Sequence, residues 1–146
     1  VGRDKANLAV FINIFSFWSL FDDGVVIFLS GRENVSFPGK SERKDKCYRR
    51  AMLDDVEYPD CINLTHAWLK KQLKKMSLVA GKTGKWELFM READDYRKDD
   101  EVKRDMFKEH VEENYFIHYV LDDRNQVVDM WRKLDLTCFQ VAPGDF

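Results

Sequence analysis

The chain has 146 residues, enough for one domain around one core. Hydrophobic residues make up 45% and charged residues 34%, and the net charge is −2, so the molecule as a whole is not built to coat nucleic acid. Any polynucleotide contact has to come from a local basic patch or from reading an end. Three cysteines, Cys47, Cys61 and Cys138, are widely spaced with no CxxC pair, which points to a reducing, cytoplasmic compartment.

Leu8 to Leu20 is strongly apolar, too short to span a bilayer comfortably, and broken by Asn13, Ser16 and Ser19. Val1-Gly2-Arg3-Asp4-Lys5 before it is not the clean basic start of a signal peptide, so no membrane role is expected. The run predicts a buried helix over 7–21 with a narrow polar stripe, ended by Asp22-Asp23-Gly24 with Gly24 as a left-handed cap. Val25-Val26-Ile27-Phe28-Leu29 then suits a strand buried on both faces. It opens into Ser30-Gly31-Arg32-Glu33, as a parallel sheet does at its functional edge.

Residues 34–62 carry few apolar side chains and are expected to form a loop or cap insertion. Lys40 to Arg50 holds six basic and two acidic residues. Asn63 or Thr65 is expected to cap a helix over 66–76. In that helix Ala67, Leu69, Leu73 and Met76 face inward and Lys70, Lys71, Lys74 and Lys75 face out. Gly81 to Gly84 is a turn, and Trp86 to Met90 a strand. A helix follows over 100–114 with Asp99 at its cap and Val102, Met106 and His110 or Val111 on one face. Phe116 to Leu121 predicts a third strand running into Asp122-Asp123. Val127, Val128, Trp131 and Leu134 follow at helical spacing, and Thr137 to Val141 predicts the last strand. Strands alternate with helices, so the class is α/β with a parallel sheet.

Two strands thus end in polar clusters, and in a parallel sheet both ends share one crevice. Asp122 and Asp123 can hold a hard cation such as Mg²⁺, which needs only one or two protein carboxylates; a solvated turn is the plain alternative. Ser30, Gly31 and Arg32 have the parts of a phosphate site: a hydroxyl, backbone N–H groups, room for a ligand and a planar two-pronged donor. A surface turn would read the same way. Lys103 lies one turn after Asp99, as a minor surface ion pair or as a phosphate-neutralising cation held in place by Asp99. His66, His110 and His118 have no metal-ligand spacing and suit core or surface roles. No G-x-S-x-G, Walker A or G-x-G-x-x-G occurs.

Together, Ile27 to Glu33, Arg97 to Lys103, Leu121 to Arg132 and the tail Cys138 to Phe146 resemble, in order, motifs II to IV of the haloacid dehalogenase superfamily and the ending of its phage-type polynucleotide kinase/phosphatase members. The resemblance implies a three-layer sheet flanked by helices, with 1–146 as one such phosphatase domain. It also implies a Mg²⁺-dependent phosphatase that removes 3′-phosphates from DNA or RNA ends through an aspartyl-phosphate, in nucleic-acid repair. In that scheme Ser30, Gly31 and Arg32 hold the phosphate, and Lys103 offsets developing charge. Asp99 orients Lys103 or assists at the metal, and Asp122 and Asp123 bind Mg²⁺. A host-cell cytoplasm is the expected setting, and a kinase domain upstream or a second copy the expected partner.

The D-x-D-G-T nucleophile motif of that superfamily does not occur, and no Asp-x-Asp exists anywhere in the chain. The expectation is therefore a domain without its first strand, cut at its N-terminus or a remnant that lost that part. Two other functions fit the same residues: a phosphatase of small metabolites or nucleotides, and a non-catalytic binding remnant of the fold.

Overall fold

The computed structural model describes residues 8–36, 52–54, 56–80, 84–142 and 144–145. The basic stretch Lys40–Arg50, Cys47 and most of the Gly81–Gly84 turn lie outside the described residues. The elements are α1 (Leu8–Leu20), β1 (Val25–Glu33), β2 (Met52–Leu53), β3 (Val56–Glu57), α2 (Cys61–Ala80), β4 (Lys85–Arg91), α3 (Asp99–His110), β5 (Val120–Asp122), α4 (Asn125–Lys133) and β6 (Cys138–Gln140). The class is α/β, as the alternation of patterns predicts. Among the described residues no helix is long and apolar enough to cross a membrane.

β1 pairs in parallel with β4 from Val25↔Lys85 to Ser30↔Met90, and β5 pairs in parallel with β6. Side chains alternate across a strand. Val26 and Phe28 pack on one cluster, built on Phe11, Ile14, Phe15 and Trp18 of α1 and Leu73 of α2. Ile27 and Leu29 pack on the other, built on Phe107, Val111, Val127, Val128, Trp131 and Cys138. Helices therefore cover both faces of β1, giving the three layers expected. Burying Trp131, Val127 and Val128 stabilises this arrangement by roughly 1.5–3 kcal/mol per side chain.

Yet β1 is only half-buried through Gly31, not fully buried as five apolar residues in a row suggest. Its faces are covered, but one edge opens onto a cavity of about 720 Å³. Consecutive residues line that cavity from both sides, Val25 to Leu29 and Ile117 to Asp122. Because consecutive side chains point to opposite faces, what meets the cavity is the strand edge of each parallel pair.

Several local expectations change. Gly24 is not left-handed; a Cβ there would lie 2.5 Å from Phe17 Cε1, so glycine serves close packing. α1 is buried on one face only, with Leu8, Ile12 and Leu20 exposed beside the polar stripe. Asp60 caps α2 a turn earlier than predicted, its carboxylate accepting from Asn63 N at 2.8 Å. α3 starts at Asp99 itself, after a Lys98 cap that makes no side-chain bond, and ends at His110. The predicted third strand shrinks to Val120–Asp122, because its ladder to β6 spans only Val120↔Cys138 to Asp122↔Gln140. Phe116 is 83% exposed. The 34–62 insertion is not all loop: β2 and β3 form an antiparallel hairpin, with Asp54 at φ 51° in its turn.

Candidate active site

β1 and β5 belong to separate two-stranded sheets, and the two sequence-predicted clusters at their ends are joined through the start of α3. At the end of β1 the ladder to β4 is interrupted between Ser30 and Glu33. Such a bulge takes residues out of the ladder and re-aims them. Here it frees Gly31 and Arg32 from β4, and the Arg32 N–H donates to Ser30 Oγ at 3.2 Å. That bond uses one backbone donor expected for the ligand and orients the Ser30 hydroxyl, whose own proton can still be donated.

The room at Gly31 is used by the protein itself. A Cβ there would collide with the Asp99 carboxylate, so only glycine lets α3 start this close to β1. Asp99 is in turn a hub. Arg91 Nη2 donates to its Oδ1 at 3.0 Å, and Arg124 Nη1 and Lys103 Nζ stand 3.5 and 3.8 Å from its Oδ2. Lys103 makes its shorter contact elsewhere, with Asp122 Oδ2 at 2.9 Å. The Lys103 and Asp122 side chains are only 11% and 8% exposed. Trp131 Nε1 also donates to Asp122 Oδ2, at 3.2 Å, and Asp123 N to Oδ1, at 2.9 Å. Asp99 thus reaches Lys103 as expected, but Lys103 is chiefly a partner of Asp122.

The structure therefore brings Gly31, Asp99, Lys103 and Asp122 into one contiguous set, with Ser30, Arg32 and Asp123 adjoining in the chain. Arg91, Arg124 and Trp131 were not singled out in the sequence. Arg91 had a signal: a cation ending the apolar run Leu88-Phe89-Met90, at the same edge. Trp131 had none, because helical spacing marked it as core, which it also is.

Carboxylate oxygens are the right donors for Mg²⁺, but their availability differs. Asp122 is engaged on both oxygens and Asp99 by three cations. Among the described residues the Asp123 carboxylate makes no hydrogen bond or ion pair, and no group of three or more His, Cys, Asp or Glu side chains could hold a metal. The donor set fits a cation bound by one or two carboxylates and otherwise by water and substrate. The three histidines pack instead against rings: His110 stacks on Phe89, and His66 and His118 lie tilted against Trp86 and Phe21.

The tail clamps the Asp122-Asp123 turn. Val141 N donates to Asp122 O at 3.0 Å, Gln140 Nε2 to Asp123 O at 2.9 Å, and Asn125 N to Gly144 O at 2.9 Å. A Cβ on Gly144 would strike the Asp123 carbonyl. Burial pushes the neighbouring Cys138 thiol up from its ordinary value, so it stays a neutral packing group.

Residues 1–146 match the model of the polynucleotide kinase PNKP phosphatase domain. The chain belongs to that family. The resemblance carried by the strand-end motifs and the tail therefore holds over the whole sequence. Two solved structures are also similar, one of the Pnkp1/Rnl/Hen1 RNA repair complex and one of the Pnkp1/Rnl/Hen1 complex. Each is 30% identical and matches 84% of this chain, with a TM-score of 0.45. The match covers 43% and 47% of those chains, so this phosphatase-family domain spans less than half of their length.

Proposed function

We propose that this domain removes 3′-phosphates from polynucleotide ends. The observation that carries the reading is the buried Asp99–Lys103–Asp122 set beside the Gly31 bulge. Ser30 and Arg32 hold the phosphate, the hydroxyl as a single donor and the guanidinium as a two-pronged one. Lys103, linked to Gly31 through Asp99, offsets the charge that grows on the phosphoryl oxygens. Asp99 and Asp122 fix the Lys103 ammonium from two sides, and Arg91 fixes Asp99. Asp123, with Asp122 acting through water, would hold Mg²⁺, which would supply further positive charge at the phosphate. Family membership supports this assignment, and the RNA repair setting of the two similar structures is consistent with a nucleic-acid end as substrate.

The family scheme has an Asp carboxylate attack phosphorus while the bond to the ribose 3′ oxygen breaks. A second Asp, two residues on, protonates that oxygen, and water then hydrolyses the aspartyl-phosphate. The open edges of β1 and β5 face one cavity that reaches Leu29 and Asp122. One strand seated there would bring such an Asp-x-Asp to the level of Lys103. The test is binding of this chain to oligonucleotides ending in 3′-phosphate or 3′-hydroxyl, with Mg²⁺ present. Preference for the 3′-phosphate, lost in Arg32→Ala, is expected. Equal binding to both ends would overturn the reading.

A further inference from the structure

The loop over residues 92–98 links the end of β4 to Asp99 and has no part in the scheme above. It leaves from the same sheet edge as Ser30-Gly31-Arg32, because β1 and β4 are parallel. Glu33 pairs with Arg91, and Asn34 N donates to Arg91 O at 2.8 Å, which stitches the end of β4, where the loop begins, to the phosphate segment. Tyr96 stands three residues before Asp99 and is 78% exposed. A single exposed aromatic is ordinary on a protein surface. What is not ordinary is how firmly this one is held.

The Tyr96 hydroxyl donates to Asp94 Oδ1 at 3.0 Å, and Asp94 sits at φ 63°. The next residue, Arg97, donates to both Asp95 oxygens, at 3.0 and 2.8 Å, and to Asp105 Oδ2 at 2.6 Å. Arg91 Nη1 donates to the Asp95 carbonyl at 3.4 Å. Residues on both sides of Tyr96 are thus anchored to β4 and α3, and its phenol is tied as well. The ring is presented to solvent with little freedom left to lose on binding. The hydrogen bond to Asp94, and after it the charges of Asp94 and Glu33, push the Tyr96 hydroxyl above its ordinary value.

We propose that Tyr96 is the stacking platform for the nucleobase of the terminal nucleotide whose phosphate Ser30 and Arg32 hold; this rests on the 3′-end reading above. A flat ring accepts any base, which suits an enzyme that reads an end and not a sequence. The Asp94 carboxylate bonded to the phenol repels a second phosphate and can accept from exocyclic amino groups, so a base is the favoured occupant of this rim.

The test uses this chain and a 3′-phosphorylated oligonucleotide with 2-aminopurine as its last base. The wild type binds and quenches the fluorophore. Tyr96→Ala binds roughly ten-fold more weakly, in keeping with the worth of one base–aromatic stack, and loses the quench. Tyr96→Phe keeps it. An otherwise identical oligonucleotide with an abasic terminal 3′-phosphate binds the wild type weakly, and Tyr96→Ala weakens it no further. Selective binding of 3′-phosphate ends with the same affinity and quench in Tyr96→Ala overturns the platform and leaves the 3′-end reading standing. Equal loss on the abasic and base-ended oligonucleotides overturns it too. Wild-type binding that ignores the 3′-phosphate overturns both.

Discussion

The two strand ends that meet at this site are built in opposite ways. The end of β5 is clamped: Lys103, Trp131 and Asp123 N hold Asp122, and Gln140, Val141 and Gly144 close over the turn. The end of β1 is a bulge with a bond inside it, from Arg32 N to Ser30 Oγ, that packs Gly31 against Asp99 and rejoins β4 at Glu33↔Arg91. The charges at the β5 end are largely buried and held from several sides, while Ser30 and Arg32 sit on a short segment where the ladder to β4 is interrupted. The difference predicts that substitutions at the β5 end cost stability and those at the β1 end cost binding.

The largest effect is expected at Lys103. Lys103→Met leaves Asp122 without its buried cation, and such a loss costs roughly 3–5 kcal/mol in a denaturant titration. An unchanged midpoint would show that Trp131 and Asp123 N suffice to hold Asp122. Next, Gly144→Ala forces the tail away from the Asp123 carbonyl, at about 1–3 kcal/mol. A change in thermal midpoint below one degree would mean the tail does not clamp the turn. Trp131→Phe keeps most of the ring and removes one hydrogen bond to Asp122, for about 1–2 kcal/mol by the same titration.

Arg32→Lys at the other end is expected to move stability by less than about 0.5 kcal/mol while weakening 3′-phosphate binding roughly ten-fold, since an ammonium cannot replace a two-pronged donor. A stability loss as large as that of Lys103→Met would erase the contrast between the two ends. The smallest effect concerns pH. The Arg97 guanidinium beside Asp95 holds its carboxyl down, from an ordinary 3.8 to about 2. A carboxyl depressed on folding contributes stability that is complete above its ordinary value and lost as pH falls through its folded one. The 92–98 loop should therefore keep its amide-exchange protection at pH 5 and lose it between about pH 4 and 2. Arg97→Gln should abolish that pH dependence.

Much of this fold was legible because its cues are local. Apolar runs and polar periods marked α1, β1, β4, α3 and α4, and the order of the strand-end motifs marked the family. The misplaced boundaries came from partners far away in the chain. Phe116 to Tyr119 has the residues of a strand, but the ladder to β6 covers only Val120 to Asp122. Gly24 and Gly31 looked like a cap and a ligand approach, and both turned out to admit a side chain, Phe17 and Asp99 respectively.

By itself the sequence determined the α/β class, from the alternation of apolar runs and helical periods, and through its resemblance pointed to Ser30, Arg32, Asp99, Lys103, Asp122 and Asp123 as candidate site groups. Only the tertiary structure decided how they are wired. It paired Lys103 with Asp122, brought Arg91 and Arg124 to Asp99, turned Trp131 from core filler into a hydrogen-bond donor, and left two strand edges facing one cavity. Those are contacts between residues up to tens of positions apart. Their energies depend on burial and on distances of a few ångströms, which no local pattern encodes.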